Sequence, residues 1–300
     1  MNKECISLGI IGLSEGNGHP YSWSAIFNGY NKLLMENCGF PVIPRYLEKQ
    51  SFPFDCIKEA KVKYIWTQSK KLSEKVSNTC FIENVSYSIL DMIGKVDGIL
   101  LARDDAENHY QFAEPFLKRG IPVYIDKPLA LNLIEAKKIL NLRLYESQIF
   151  TCTALKYAKE FSPTHQDLKS IGKIKSIHGE ISKDWNRYAI HIIEPILNLI
   201  PNKGELISYS KESKDDMNTL NLKFKYLESM KFSTLGKLQV TPKISIYGES
   251  GNLVLKFKDT FNAFKTALNI FIKSIMDKES RLDEECLLEI IKFIELGNQI

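Results

Sequence analysis

Ile121-Pro122-Val123-Tyr124-Ile125-Asp126-Lys127-Pro128-Leu129-Ala130-Leu131 is the stretch on which the reading of this chain turns. An apolar run rich in β-branched and aromatic residues stops at Asp-Lys-Pro, and a helical pattern follows. Val123 to Ile125 reads as a buried parallel strand, set off by Gly120 before it and Pro128 after it. In an open α/β sheet, ligands collect beyond the carboxyl ends of the strands. Lys127 falls at that place, on backbone that Pro128 stiffens. A solvated lysine in a turn is the other reading that the dipeptide allows.

Upstream, residues 5–13 read as a strand running into Gly12, and residues 14–20 as a loop. Residues 21–34 follow as a helix with Trp23, Ile26, Phe27 and Tyr30 on one face. Strand, glycine-rich loop and helix open a dinucleotide-binding unit, in which backbone N–H groups and a helix N-terminus meet a pyrophosphate. Gly12, Ser14, Gly16, Gly18 and His19 are the candidate cofactor contacts of this loop. Its spacing departs from Gly-x-Gly, since Ser14 takes the second glycine's place and Glu15 adds a negative charge. A plain tight turn fits it equally well. Residues 40–47 read as the second strand, which puts Arg45 near its end, where an arginine suits the 2′-phosphate of NADP.

Residues 62–67 and 97–102 add two more strands, with a helix over 70–77 between them. Arg103-Asp-Asp-Ala-Glu-Asn-His109 precedes a helix that ends at Gly120. Asp104 and Asp105 read as caps of that helix, and His109 as a histidine on its surface. A helix over 133–144 completes an alternating α/β half. After Phe150 the pattern changes to successive strands over 173–182, 205–211, 219–226, 230–235, 244–247 and 253–257. A helical insertion at 188–199 precedes most of them, and two amphipathic helices, 260–276 and 284–296, close the chain. The expected architecture is α/β. An N-terminal Rossmann dinucleotide-binding domain covers 1–127, and an α+β domain with an open, mostly antiparallel sheet covers 128–300. The last helices are placed to pack back on the first domain. An apolar open sheet face would call for a homodimer or homotetramer.

The totals exclude several classes. The length of 300 residues suits two domains, and 44% hydrophobic with 25% charged residues is ordinary for a globular protein. A net charge of +4, with no block of five like charges, argues against a nucleic-acid partner. Six cysteines lie far apart with no CxxC pair, as expected of reduced thiols in a cytoplasm rather than of disulfides or a metal site. The most apolar stretch, 189–200, is broken by Glu194 and Pro195 and is too short to span a bilayer. No membrane association and no metal are expected.

Three segments carry a resemblance: Val96-Asp-Gly-Ile-Leu-Leu-Ala-Arg-Asp-Asp-Ala-Glu-Asn-His-Tyr110 with Gly120, Asp126-Lys127-Pro128-Leu129-Ala130, and Ile246-Tyr-Gly-Glu-Ser-Gly-Asn-Leu253. Together they resemble the glucose–fructose oxidoreductase / inositol dehydrogenase (Gfo/Idh/MocA) family over nearly the whole chain. The resemblance implies NAD or NADP as cofactor, with Ala102, Arg103, Asp104 and Asn108 lining the nicotinamide beside His109 and Asp126. It implies that Lys127 touches substrate and takes part in catalysis. It also matches His191, in Asp184-Trp-Asn-Arg-Tyr-Ala-Ile-His191, to the histidine that takes the proton of a substrate hydroxyl. The family's aspartate four residues earlier is replaced here by Arg187, leaving Asp184 or Glu194 to orient the ring. Lys156, Tyr157, Trp185 and Arg187 are the remaining candidate substrate contacts.

The implied activity is hydride transfer between nicotinamide and a secondary hydroxyl or carbonyl of a sugar, polyol or nucleotide-linked sugar. In that reading Lys127 and His191 serve one nicotinamide. The rivals are a non-catalytic NAD(P)-binding metabolite or redox sensor, and a lyase or glycosidase that uses NAD transiently.

Overall fold

The computed structural model describes residues 5–298. In chain order, β1 (Ile6–Ile11) leads into α1 (His19–Asn28), α2 (Lys32–Glu36) and α3 (Val42–Leu47). There follow β2 (Ala60–Trp66), α4 (Lys70–Cys80), β3 (Asn84–Val85), β4 (Gly98–Leu101), α5 (His109–Leu117) and β5 (Val123–Ile125). Next come α6 (Leu133–Leu140), β6 (Ile149–Phe150), α7 (His165–Ile171), β7 (Ile174–Ile181), α8 (Trp185–Tyr188) and α9 (Ile190–Leu199). The remaining strands are β8 (Leu206–Lys214), β9 (Met217–Phe224), β10 (Ser229–Leu235), β11 (Lys243–Gly248) and β12 (Asn252–Lys256). Helices α10 (Thr260–Asp277) and α11 (Glu284–Asn298) end the described chain.

These elements form two compact units. The first holds the chain up to Ala130, Ile134–Thr151 and Phe264–Leu282, and the second holds Leu131–Leu133, Cys152–Ala263 and the chain from Asp283. In the first, six parallel strands run in the order β3-β2-β1-β4-β5-β6. The strand order reverses between β1 and β4, and at such a switch point the connections leave in opposite directions and open a crevice outside the carboxyl ends. Both faces are covered, which explains why the strands read as continuous apolar runs: Leu8, Ile10, Ile11, Ile99, Leu100, Leu101, Val123 and Ile125 are fully buried. Rings of Trp23, Tyr124 and Phe150 pack in succession, and Phe271 of α10 closes on the last two. Each such buried aromatic contributes about 1.5–3 kcal/mol from area alone.

The expected second strand at 40–47 is a correction. Those residues form α3, because two prolines cannot donate to a sheet ladder, whereas Pro41 at the N-cap and Pro44 in the first turn forgo only N–H groups that lack a helical partner. Ile43 and Leu47, four residues apart, form the buried stripe. The helix expected over 21–34 also divides. Gly29, at φ 77°, ends α1, and Asn31 restarts the chain by accepting the backbone N–H of Leu34 at the head of α2.

In the second unit the sheet order is β12-β11-β7-β10-β9-β8, antiparallel throughout except for the parallel pair β7/β10. One face buries Ile177, Leu220, Leu222, Met230, Phe232, Ile244 and Ile246. Gly179 lies under α9 so closely that a Cβ there would stand 2.8 Å from the Cβ of Ile192. Phe293 of α11 covers Phe224 and Phe232. The opposite face corrects the expectation of an apolar surface: it is mostly polar, with Tyr247 and Val254 its exposed apolar members. By strand alternation it carries Ser176, His178, Glu180, Lys231, Ser233, Lys243 and Ser245. Its residues bond among themselves: His178 to Ser233 at 3.0 Å, Ser233 to Thr219 at 2.9 Å, and Lys243 to Glu180 at 2.9 Å.

Candidate active site

The carboxyl ends of β1, β4 and β5 carry short polar segments, and their side chains meet in two linked clusters. Gly12 follows β1 where α1 begins to return, and a Cβ there would come within 2.3 Å of the Pro20 ring and 3.3 Å of the Ala102 carbonyl. Only glycine fits this close approach of loop, helix and strand. Two residues on, the Ser14 hydroxyl donates to Asp104 at 2.6 Å, and the Asp104 backbone N–H donates back to the Ser14 oxygen at 3.1 Å. The other carboxylate oxygen of Asp104 lies 3.7 Å from the Lys127 ammonium. Both side chains are 5% exposed. A charge enclosed to this degree persists when it is paired, and removing one partner of a buried pair costs about 3–5 kcal/mol.

Asp126, at the end of β5, organises the second cluster. It accepts from the Asn17 amide at 2.9 Å and from the Lys127 backbone N–H at 2.8 Å, and it lies 2.6 Å from Nδ1 of His19. Burial pushes its carboxyl up, but the His19 and Lys127 charges and these hydrogen bonds outweigh burial and hold it well below the usual carboxylate range. His19 stacks on Trp23 one helical turn away and meets the edge of Phe264. The Asp126 and His19 expected at the cofactor are thus tied to each other.

The segment after β4 departs from expectation at two residues. Asp104 is not a helix cap but the buried partner of Lys127 and Ser14. Asp105 does head the next turn, yet its carboxylate is taken by the Arg103 guanidinium and by Asn108 at 2.7 Å. His109 is not on the helix surface. It is fully buried, with Nε2 2.7 Å from the Arg103 carbonyl and Nδ1 3.0 Å from the Leu129 carbonyl. It braces the segment after β4 against the one after Lys127, where the Lys127–Pro128 bond is cis.

The β1–α1 connection is a glycine-bearing loop leading to the head of α1. Gly12 holds strand and helix together, Gly16 has open space where a side chain would stand, Glu15 is exposed, and the first N–H of α1, that of His19, donates to the Asn17 side chain at 2.8 Å. Arg45 does not contribute as expected, because it is exposed in the last turn of α3 and ends no strand. The segment that follows β2 is Thr67-Gln68-Ser69-Lys70-Lys71, which has no carboxylate. Gln68 grips the loop, accepting from the Leu13 N–H at 3.1 Å and donating to its carbonyl at 2.7 Å.

In the second unit His191 lies in the first turn of α9, where its Nδ1 is 2.5 Å from the Thr153 hydroxyl. Glu194, one turn along, does not reach the ring as the sequence suggested. It accepts the Thr153 backbone N–H at 2.7 Å and pairs with Lys156 at 3.2 Å. Burial pushes the Glu194 carboxyl up, partly offset by Lys156 and the Thr153 N–H. Burial draws the Lys156 ammonium down, but the Glu194 charge more than restores it, so it stays above its ordinary range. Tyr157 lies beside Lys156, its ring centre 6.0 Å from the ammonium.

Asp184 does not orient the ring either. It caps α8 through the Arg187 N–H at 3.0 Å and pairs with the exposed Arg187 side chain at 3.7 Å. Trp185 is a core residue, 3% exposed, with its indole N–H on the Ile294 carbonyl at 2.9 Å, which removes it as a sugar-stacking surface. Two participants were missed, Asn17 and Thr153. Asn17 could have been noticed as an amide inside a glycine loop, but Thr153 is a threonine after a strand with no local mark. Among the described residues no helix is long and apolar enough to cross a membrane, and no cluster of His, Cys, Asp and Glu is arranged to hold a metal ion.

A family model described as the oxidoreductase family, NAD-binding Rossmann fold (Gfo/Idh/MocA), matches residues 41–152. No curated protein sequence matches. Among solved structures, apo scyllo-inositol dehydrogenase from Lactobacillus casei is similar at 14% identity and TM-score 0.73, covering 99% of this chain and 96% of that one. A dehydrogenase from Clostridium difficile is similar at 17% identity and TM-score 0.68, covering 97% and 98%. Biliverdin reductase from Synechocystis sp. PCC 6803, solved with biliverdin and NADP+, is similar at 15% identity and TM-score 0.68, also covering 97% and 98%. At these identities the structures speak for the fold. Strand order and the family match agree: residues 41–152 match the model of the Gfo/Idh/MocA oxidoreductase family, an NAD-binding Rossmann fold.

Proposed function

We propose that the chain is an NAD(P)-dependent dehydrogenase or reductase acting on a secondary hydroxyl or carbonyl of a sugar, polyol or nucleotide-linked sugar. The observation that carries this reading is the Lys127 ammonium, buried beyond the carboxyl end of β5 and paired with Asp104 at 3.7 Å. A cation in a low-dielectric setting favours the developing negative charge of an alkoxide oxygen more than it would in water. Nicotinamide, when bound, supplies the acceptor or donor of hydride. Lys127 polarises the substrate oxygen, and His191 accepts the hydroxyl proton in oxidation and returns it in reduction. The loop Leu13–Gly18 and the start of α1 hold the pyrophosphate.

Ser69, Lys70 and Lys71 stand after β2, where a carboxylate would otherwise select the ribose hydroxyls of NAD, and they favour the 2′-phosphate of NADP. The six thiols form no disulfide among the described residues, which suits a cytoplasmic enzyme. A homodimer or homotetramer built on the open sheet face would associate through its hydrogen-bonding side chains, and sedimentation velocity reports whether it forms.

The test is turnover on a panel of polyols, sugars and nucleotide sugars with each nicotinamide cofactor, comparing the wild type with Lys127→Ala. Activity abolished by the substitution supports the assignment. NADP binding without turnover on any member of the panel points instead to a sensor. The replacement of the loop's second glycine by Ser14, whose hydroxyl is committed to Asp104, is the feature that favours that second reading.

A further inference from the structure

We infer that Thr153 is the positioning residue of His191, its hydroxyl fixing the ring and its tautomer. The inference rests on the oxidoreductase reading for the role of His191, and on geometry for the pairing. The Thr153 oxygen is 2.5 Å from Nδ1 of His191, and Thr153 is fully buried. Two contacts hold it there. Its backbone N–H is bound by Glu194 at 2.7 Å, and its hydroxyl oxygen accepts the Leu155 N–H at 3.2 Å, capping the one-turn helix Ala154–Tyr157. Glu194 is anchored in turn by Lys156 at 3.2 Å. The ring of Tyr188 packs near the imidazole, with ring centres 5.6 Å apart.

A hydroxyl offers one proton and two acceptor sites, and the Leu155 N–H takes one of those sites. The second is open to Nδ1–H of His191, and in that tautomer Nε2 holds the lone pair that takes a proton from a substrate hydroxyl. Once Nε2 is protonated, the Nδ1–H bond to Thr153 is unchanged, so the ring need not turn between the two directions of the reaction. The bond forming is Nε2–H and the bond breaking is the substrate O–H, while hydride leaves the same carbon for the nicotinamide. Free imidazole in water favours the opposite tautomer, so Thr153 selects the catalytic one as well as the ring's orientation.

The experiment joins nitrogen-15 NMR of the histidine rings to steady-state kinetics in the wild type, Thr153→Val, Thr153→Ala and Thr153→Ser. The His191 signals are identified by their loss in His191→Gln. The expected result is the Nδ1–H tautomer in the wild type and Thr153→Ser, and a shift towards Nε2–H in the Val and Ala variants. Expected with it is a fall in kcat of about ten- to a hundredfold for Val and Ala, as for other partners that orient a functional histidine, with KM nearly unchanged and Ser restoring the rate. An unchanged tautomer in both Val and Ala overturns the pairing, and unchanged kcat in both overturns the positioning role. An equal loss of rate in Ser does the same. A wild type inert on every substrate defeats the oxidoreductase reading instead, and the tautomer measurement then decides the pairing alone.

Discussion

Replacing Asp126 by asparagine tests whether the polar clusters at the strand ends are as tightly committed as their geometry indicates. One carboxylate oxygen receives the Asn17 amide at 2.9 Å and lies 2.6 Å from His19, while the other receives the Lys127 N–H at 2.8 Å. An asparagine has one acceptor oxygen, so whichever side it serves, its NH2 group faces a donor on the other. A buried donor left without an acceptor costs about 1–3 kcal/mol, and bonds to a charged acceptor are the stronger kind. The expected loss is about 2–4 kcal/mol at neutral pH, read by urea denaturation with an unchanged slope against denaturant.

The pH dependence has a definite sign. The native carboxyl is held below its unfolded value of about 3.9, so its stabilisation is complete above that value and is lost as pH falls through the native one. The gap between wild type and variant should therefore be widest near neutrality and shrink below about pH 4. A variant within about 0.5 kcal/mol of wild type at neutral pH, the range of an ordinary surface change, would refute the reasoning.

Three further outcomes are expected. Lys127→Ala and His191→Ala each lower turnover about a hundredfold or more while circular dichroism stays native, and near-wild-type rates would remove that residue from the mechanism. Lys70→Glu combined with Lys71→Glu weakens NADP binding and leaves NAD binding little altered in equilibrium titrations, and equal weakening of both would show that the segment after β2 does not read the 2′-phosphate. Lys156→Met strands the Glu194 carboxylate in the interior and costs about 3–5 kcal/mol in unfolding experiments. Adding Glu194→Gln to it should recover a good part of that loss, and the absence of recovery would mean that the pair is not coupled as its 3.2 Å separation implies.

The elements legible in the sequence are those whose apolar pattern is local. The run over Val123–Ile125 and the alternation along β7 to β12 carry their own period, and the structure places strands there. The segment 40–47 shows where the reading fails: a short apolar run with two prolines suits a strand by composition, and the first-turn tolerance for proline decides for helix. Side-chain partners across long sequence separations left no local trace. Ser14 and Asp104 are 90 residues apart, and Thr153 and His191 are 38 apart. His109 on an amphipathic helix looks like a surface residue until the carbonyls of Arg103 and Leu129 are brought to its ring. The polar open face of the second sheet was legible strand by strand, since Ser176, His178 and Glu180 alternate with buried residues, but only pairing with Lys231, Ser233 and Lys243 shows how far the polar surface extends.

The most direct measurement is isotopic. NADPH carrying deuterium at C4 of the nicotinamide is incubated with the protein and carbonyl compounds of the sugar and polyol classes, and the products are analysed by mass spectrometry. Deuterium on the former carbonyl carbon, in wild type and not in Lys127→Ala, is the predicted result. Binding of the labelled cofactor with no deuterium transferred to any carbonyl compound would contradict it.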